Sequence, residues 1–337
     1  MRILVIGSGF GSYAMAPVYR NHGCEVEVVS PRDGAAVAAA MARDCDLVSV
    51  HSPPFMHKHH VLMALASGKP VLCDKPFGLD AAEARAMHDA ARSAGQLNFL
   101  NCEFRLKPTH CKLKELVEAG AIGTPRHIHL NFFSNGLRGR EHRWLNDREL
   151  GGGWIGAYGS HFVDTLRWFF ASEVADCGGF TRVDTRLRPG EGGAPVESTA
   201  DDAYSAWFVM ASGATANIDS CYSGPVPIAP RMTIIGSDGA LELVGETQIL
   251  VRRAEPEVPG EQLSRDERIR RAVRAGEPGE VIEFAPNLGE THEPALTPWL
   301  ALVLEAVGAG RQIAPDFGEG VLMAEALAMW RAKSVSV

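Results

Sequence analysis

The chain begins with a pattern that few folds accommodate. Arg2-Ile3-Leu4-Val5-Ile6 is a short apolar run rich in β-branched residues, and Gly7-Ser8-Gly9-Phe10-Gly11-Ser12 follows without a gap. A strand that runs into a glycine turn opening a helix is the context in which a dinucleotide fingerprint has physical meaning. Gly7 permits the tight turn, and Gly9 lets the backbone approach a pyrophosphate held at the helix N-terminus. Ser12 stands at the third fingerprint position, where a small residue still allows the helix to pack closely on the strand. With Phe10 and Gly11 these residues are the first cofactor-binding candidates. Pro17, inside the helix that follows, is expected to bend it.

A second strand, Glu25 to Val29, ends in Ser30-Pro31-Arg32. Folds that select NAD place an acid here to bind the ribose 2′-hydroxyl. A hydroxyl (Ser30) and a guanidinium (Arg32) suit a 2′-phosphate, through charge-assisted bonds that an acid would oppose. NADP is therefore the expected cofactor. NAD is the alternative, with a surface turn here and Asp33 on the ribose.

Strand and helix then alternate. Ala35 to Arg43 reads as helix and Asp46 to His51 as strand, followed by Ser52-Pro53-Pro54-Phe55-Met56-His57. Two prolines after a strand make a rigid lip suited to lining a cofactor, so Ser52, Pro53, Pro54 and His57 join the candidates. His57, His59 and His60 lie close together, but no matching carboxylate or cysteine set stands nearby, and no metal is expected. Lys58 to Ser67 is helical and ends at Gly68. The next strand, Val71-Leu72-Cys73, delivers Asp74-Lys75-Pro76 to its carboxyl end, where ligands bind in open parallel sheets. Pro76 biases Lys75 away from helix, so the lysine is presented on a turn, able to orient a substrate hydroxyl or share its proton. Asp80 caps a helix to about Ala94, and a strand from Gln96 to Cys102 leads to Glu103-Phe104-Arg105-Leu106-Lys107-Pro108. This is a doubly wound α/β sheet.

From about Gly120 the period changes. In Pro125 to Phe133, His127, His129 and Asn131 alternate with Ile128, Leu130 and Phe132. Similar runs recur at Tyr204–Met210, Ala214–Ser220, Arg231–Ile235 and Ala240–Val244. A glycine cluster at 151–153 and a helix from about Gly159 to Phe170 lie between the first run and the rest. Residues 186–200 and 254–280 read as loops with a surface helix, and Trp299–Val307 and Gly318–Ala332 as closing helices. The expected architecture is a Rossmann domain over residues 1–120, followed by an α+β domain over 121–337 with a large open, mostly antiparallel sheet. A chain of 337 residues is long enough for two such cores.

Composition excludes other classes. A formal net charge of −8 opposes a nucleic-acid partner, which demands clustered lysine and arginine. The basic tract Arg265 to Arg274 is interleaved with acids, as on a solvated helix face. Seven scattered cysteines, without a CxxC pair, fit reduced thiols and a cytoplasmic location. The chain opens directly on a strand and has no apolar run able to span a bilayer, so a secreted or membrane-embedded protein is not expected.

Taken together, Gly7-x-Gly9, the proline lip ending in His57, Asp74-Lys75-Pro76, Phe104-Arg105-x-x-Pro108 and Gly151-Gly152-Gly153 through Gly159-Ser160-His161-x-x-Asp164 resemble the Gfo/Idh/MocA oxidoreductases. This family is named after glucose-fructose oxidoreductase, inositol dehydrogenase and rhizopine catabolism. The resemblance spans nearly the whole chain. It implies a Rossmann domain, an open second sheet used for dimer or tetramer contacts, and oxidation or reduction of a carbon of a sugar, cyclitol or related small molecule with NAD or NADP. It also implies that Lys75, whose bond to Pro76 is often cis in the family, is the catalytic lysine and that His161 is the catalytic histidine. The family's usual Glu-Lys-Pro is Asp74-Lys75-Pro76 here. Its aspartate four residues before the histidine is Ala157, so the Lys-Asp-His relay is incomplete.

The expected function is hydride transfer between nicotinamide and a hydroxylated carbon. The alternatives are an NAD-dependent glycosidase or lyase with a transient redox cycle, and a non-catalytic nucleotide-binding sensor, since a galactose-pathway repressor shares the family fold. Without the aspartate, a proton donor or acceptor is still needed within about 3 Å of the reacting oxygen. His161 is the expected acid/base, with Lys75 holding the oxygen. Glu103, Trp144 and Tyr158 are substrate-binding candidates, and Glu103 either reaches the nicotinamide end of the cleft or merely pairs with Arg105. Cover for the apolar positions Ile128, Leu130 and Phe132 is expected from a second subunit, in a homodimer or homotetramer.

Overall fold

Apolar strands of four or five residues cannot alternate when both their faces are covered, and the inner strands of the first sheet follow that rule. In the computed structural model, which describes residues 1–254, 263–287 and 291–337, Arg2–Ile6 (β1), Glu25–Val29 (β2), Leu47–Val50 (β3), Val71–Asp74 (β4) and Asn98–Asn101 (β5) form a parallel sheet. Its order is β2-β1-β3-β4-β5, so the winding reverses between β1 and β3 and a crevice opens at the carboxyl ends there. Strands β1, β3 and β4 are buried almost throughout, whereas edge strand β2 turns Glu25 and Glu27 to solvent.

The helices are Ala16–Asn21 (α1), Gly34–Met41 (α2), Pro54–Ala66 (α3), Ala81–Ala94 (α4) and Pro108–Glu118 (α5). Asp33 and Asp80 cap α2 and α4 by accepting from the N–H groups of Ala36 (2.9 Å) and Glu83 (2.8 Å). Pro17 lies inside one continuous run of helical backbone from Gly11 to Asn21, so its missing N–H removes a bond that the helix would otherwise make. The deviation expected from it takes the form of a wide π-helical turn, Gly11–Met15, that precedes α1.

The second sheet has nine strands: Pro125–Phe133 (β6), Val174–Arg182 (β7), Ala203–Met210 (β10), Thr215–Cys221 (β11), Ile228–Gly236 (β12), Gly239–Val244 (β13), Gln248–Arg253 (β14), Glu280–Glu283 (β15) and Ser334–Ser336 (β16). The order is β15-β14-β13-β12-β6-β11-β10-β7-β16, antiparallel except for the β6–β11 and β7–β16 pairs. Its inner face packs on helices Ser160–Phe170 (α6) and Phe317–Lys333 (α9). Ile128 (0% exposed) and Leu130 (6%) belong to that face. Both are buried within the chain's own core cluster, together with residues of α6 and α9, so their burial does not require a second subunit.

Of the two stretches read as loops with a surface helix, the first differs and the second holds that helix. Leu187–Pro189 (β8) and Pro195–Glu197 (β9) pair as a hairpin. Arg188, only 1% exposed, holds the hairpin down by donating to Asp202 (3.1 Å), Ser198 (3.2 Å), Ser223 (2.9 Å) and the Leu137 carbonyl. Residues 255–262, part of the polar stretch 254–280, lie outside the described residues. Arg265–Ala275 (α7) is an exposed helix closed by a Ser264/Glu267 capping box. Glu293–Ala309 (α8) follows the second sheet in sequence but packs on the first. Leu296, Trp299, Leu300 and Val303 join Ile3, Val5, Leu72 and Phe99 in one core. Among the described residues no helix is long and apolar enough to cross a membrane.

Candidate active site

The crevice at the carboxyl ends of β1, β3, β4 and β5 widens into a cleft of about 1580 Å³ that is closed on its far side by the second sheet. The glycine turn forms one wall. A β-carbon on Gly7 would lie 2.7 Å from the His51 carbonyl oxygen, and one on Gly11 would lie 2.9 Å from Val5 Cγ1 and 3.1 Å from His51 Cβ. The close helix–strand approach expected of Ser12 is therefore made at Gly11, and Ser12 is exposed. Nothing lies within 4 Å of where a Gly9 β-carbon would point. That open space above a helix start fits a dinucleotide pyrophosphate, which needs backbone N–H groups without side chains in front of them. Phe10 and Arg32 border the same cleft. Ser30 lies beside Arg32, its hydroxyl accepting from the Arg32 N–H at 3.4 Å.

The proline lip divides. Ser52, Pro53 and Pro54 line the cleft, whereas His57 lies behind them. Its ring is 1% exposed and spans the carbonyls of Ser52 (2.6 Å) and Pro76 (3.1 Å). His57 therefore braces the lip against the turn after β4 and does not reach a bound cofactor. Its buried position pushes its pKa down.

Strand β4 presents Asp74 and Lys75, and the Lys75–Pro76 bond is cis. Asp74 faces His51 Nδ1 (3.3 Å) and accepts from the Lys75 N–H (2.9 Å) and from Asn101 (3.3 Å). Burial alone would raise its pKa, but the hydrogen bond and charge of His51, with Lys75 nearby, outweigh burial and bring it to about 2. Lys75 reaches across the cleft, where its Nζ donates to the Ala157 carbonyl oxygen at 2.8 Å. Ala157 lies on a π-helical turn, Ile155–Gly159, that leads into α6, so His161 follows one turn later. Gly152 makes this turn possible: a β-carbon there would strike the Trp144, Leu145 and Asp147 carbonyl oxygens at 2.4–2.6 Å. The same close approach places Trp144 at the cleft rim.

His161 is 4% exposed and stacks on Phe104, with ring centroids 3.7 Å apart and planes at 6°. Burial, and then the positive charge of Lys75, hold its pKa well below the ordinary histidine range, so the ring is neutral at pH 7. Glu103 Oε1 lies 3.9 Å from His161 Nε2 and 3.2 Å from His292 Nδ1. Arg105 does not take Glu103. It binds Asp164 through two hydrogen bonds (2.9 and 2.6 Å) and also contacts Glu319. Tyr158 packs against both Phe132 (4.5 Å) and Trp154 (5.1 Å), and Trp154 lies against Tyr222 (4.0 Å). Burial raises the Tyr158 hydroxyl pKa far above its ordinary value, so it remains a hydrogen-bond donor.

Of the expected residues, the fold brings together at the cleft Gly9, Phe10, Arg32, Ser52, Pro53, Pro54, Asp74, Lys75, Glu103, Trp144, Tyr158 and His161. Gly7 and Gly11 support the turn from beneath. Sequence reasoning missed His292, the aromatic stack around Trp154, and Lys107. The Lys107 ammonium lies 3.8 Å from the Phe104 ring centroid and pairs with Glu246 at 3.0 Å. Lys107 falls at an unspecified position of the Phe104-Arg105-x-x-Pro108 motif, and no local pattern pointed to His292. Among the described residues no group of three His, Cys, Asp or Glu side chains is arranged to hold a metal ion.

Comparison with known proteins agrees with this geometry. Residues 1–101 match the oxidoreductase family with an NAD-binding Rossmann fold, and residues 110–242 match the GFO/IDH/MocA C-terminal domain. An uncharacterized oxidoreductase of Synechocystis sp. is 29% identical over 190 residues, covering 50% of this chain and 51% of that one. The 1,5-anhydro-D-fructose reductase of Ensifer adhaerens is 34% identical over 137 residues, or 40% of each chain. This chain thus spans about half the length, or less, of those curated relatives. Levoglucosan dehydrogenase in complex with NADH superposes with a TM-score of 0.79 over 99% of this chain and 96% of that one, at 17% identity. An oxidoreductase domain protein from Kribbella flavida does so at 0.78 over 98% and 96%, at 24% identity. At these identities the likeness speaks to the fold. With both halves matched and the glycine turn, Lys75 and His161 converging on one cleft, the chain belongs to the Gfo/Idh/MocA oxidoreductase family.

Proposed function

We propose that the protein transfers a hydride between a nicotinamide dinucleotide and a CH–OH or carbonyl carbon of a sugar, cyclitol or related hydroxylated small molecule. The observation that carries this reading is the anchoring of Lys75 on the Ala157 carbonyl, one turn before His161, at the carboxyl end of the sheet whose first turn is open at Gly9. A bound nicotinamide supplies the hydride acceptor or donor. Gly9 and the first N–H groups of the helix would hold its pyrophosphate, and Pro53 and Pro54 would flank it. Lys75 rests on a neutral carbonyl oxygen at the position where the family resemblance implies an aspartate. Its ammonium is thus oriented without an anionic partner at that point, and can donate to a substrate oxygen on which negative charge develops. Neutral His161 has a lone pair free to take the oxygen's proton. The aromatic faces near Tyr158 suit the apolar face of a ring, and Trp144 closes the rim.

For the cofactor we favour NADP. Asp33, the residue that would otherwise bind a ribose hydroxyl, is engaged in capping α2, and Arg32 borders the cleft. Each charge-assisted bond to a 2′-phosphate is worth roughly 1.5–3 kcal/mol. Two of the relatives carry sugar names, a 1,5-anhydro-D-fructose reductase and a levoglucosan dehydrogenase, which supports the substrate class. The test is a panel of anhydrosugars, aldoses and cyclitols followed by nicotinamide absorbance, with calorimetry for both cofactors. Net turnover is expected, with tighter NADP(H) binding that Arg32→Ala reduces selectively. Equal affinity for both cofactors would defeat the NADP assignment. Cofactor that copurifies without net reduction while the sugar is cleaved would replace the dehydrogenase reading with an internal redox cycle.

A further inference from the structure

His161 is poorly placed to keep a proton. It is buried, its Nδ1 has no hydrogen-bond partner among the described residues, and Lys75, Lys107, His110 and His292 all face it with positive or potentially positive charge. An imidazole in that position can accept a proton only if it can pass it on. One carboxylate is placed to receive it. Glu103, 1% exposed, sits with Oε1 between the two imidazoles, 3.9 Å from His161 Nε2 and 3.2 Å from His292 Nδ1, while its Oε2 is buried without a partner among the described residues. His292 lies at the outer side of this pair. Its side chain is 28% exposed, and its ring meets Phe10 of the glycine turn edge-on, with centroids 4.9 Å apart.

We propose that Glu103 and His292 are the proton outlet of the site and do the work of the aspartate that Ala157 replaces. The proposal rests on the reading of Lys75 and His161 as the reacting pair. In the oxidation direction the substrate's C–H leaves as hydride to the nicotinamide, and its O–H proton goes to His161 Nε2. A small ring movement closes the 3.9 Å gap, and the proton passes to Glu103 Oε1. His292 holds a proton on Nδ1 in the resting state, because a carboxylate can only accept there. With that Nδ1 proton donated throughout, Glu103, which lines the cleft, gives the acquired proton to cleft water, and the carboxylate and the His161 ring then return to their starting forms. Reduction runs the same path inward. Glu103 and His292 are positioning residues acting through His161, and the chain supplies them from the loop after β5 and from the start of α8.

Two measurements test this. Long-range proton–nitrogen spectra of histidine-labelled protein, which need no substrate, are expected to show His292 with its proton on Nδ1, a preference that Glu103→Gln removes. A His292 ring protonated on Nε2 and indifferent to Glu103→Gln overturns the proposal. In turnover with any substrate that the parent accepts, His292→Ala and His292→Phe are each expected to lose at least 10-fold in kcat with little change in cofactor affinity. Added imidazole should restore several-fold activity in His292→Ala, which leaves room for it, and not in His292→Phe, which keeps the packing on Phe10. Parent-like kcat in His292→Phe, or losses that imidazole does not relieve in His292→Ala, overturn the outlet. A parent without any nicotinamide turnover instead sinks the dehydrogenase reading, and the spectra still decide the Glu103–His292 contact.

Discussion

Ala157 shows how one missing side chain redistributes roles among its neighbours. A carboxylate there would orient Lys75 and share a proton with it. In its absence the backbone oxygen of the same residue does the orienting, at 2.8 Å, and proton handling falls to His161. His161→Ala and Lys75→Ala are each expected to lower turnover by roughly 10²-fold or more, the usual contribution of a positioned acid/base, with cofactor binding nearly intact. The hypothesis is falsified if His161→Ala keeps near-parent turnover. Other histidines act on stability. Burial, aided by Lys107, holds the His110 pKa at about 4, and burial, aided by His59 and His57, does the same for His60. As pH falls below the ordinary histidine value of about 6.5, the unfolded chain binds protons that the folded chain refuses, until the folded pKa is reached. Stability is therefore full above that value and declines down to pH 4, by at most about 1.4 kcal/mol per pH unit for each such histidine. Asp74, at about 2, titrates below this window. Denaturant midpoints that stay flat from pH 7 to pH 5, or a His110→Gln variant with the parent's slope, would contradict this account.

At the scale of elements, what could be read from the sequence was whatever a strand, turn or helix states locally. The run into Gly7, the alternation through Ile128 and Leu130, and the Asp74-Lys75-Pro76 turn each carry their own geometry, and all stand where their patterns placed them. The contacts that finish the site are made between residues far apart in sequence. His292 meets Glu103 across 189 positions, and Arg188 pins a hairpin whose glycines and prolines read as loop. Gly11 in place of Ser12 is a one-residue error, made at a π-helical turn where Gly11 faces β1. Arg105 makes another of the long-range ties, joining the loop after β5 to α6 and α9 through Asp164 and Glu319. Asp164 is 2% exposed, so removing the arginine leaves a buried carboxylate unpaired. Arg105→Ala is expected to cost ~3–5 kcal/mol of stability, and the apolar pair Arg105→Met with Asp164→Leu to recover most of it. A single variant whose denaturation midpoint matches the parent's would show that this clamp holds nothing.

At the scale of the whole molecule, the outer face of the nine-stranded sheet leaves large apolar side chains exposed among the described residues. The register aligns Trp207, Asn217, His129, Thr233, Glu242, Leu250 and Val281 in one row across it, with Phe180 and Val335 beside them at one edge and Ile235 toward the other. The centre of this face is polar and its flanks are apolar. Phe180 (54% exposed), Trp207 (42%), Val335 (57%), Ile235 (44%) and Val281 (48%) all face outward. Large apolar side chains grouped on one rigid face, with polar groups between them, mark an interaction surface. We propose that a second copy covers it, since a two-fold arrangement lets the same patch serve on both sides and places each polar centre against another. This is the face opposite to the one that Ile128 and Leu130 occupy. The association therefore does not complete the core, and a folded monomer is expected when it is broken. Sedimentation at micromolar concentration should show a dimer or tetramer. Trp207→Ala, which removes the largest exposed ring, should weaken it by about 10-fold or more, at a cost of at least ~1–2 kcal/mol, with the thermal midpoint of the dilute protein unchanged. A parent chain that sediments as a monomer at that concentration would leave this face without its proposed occupant.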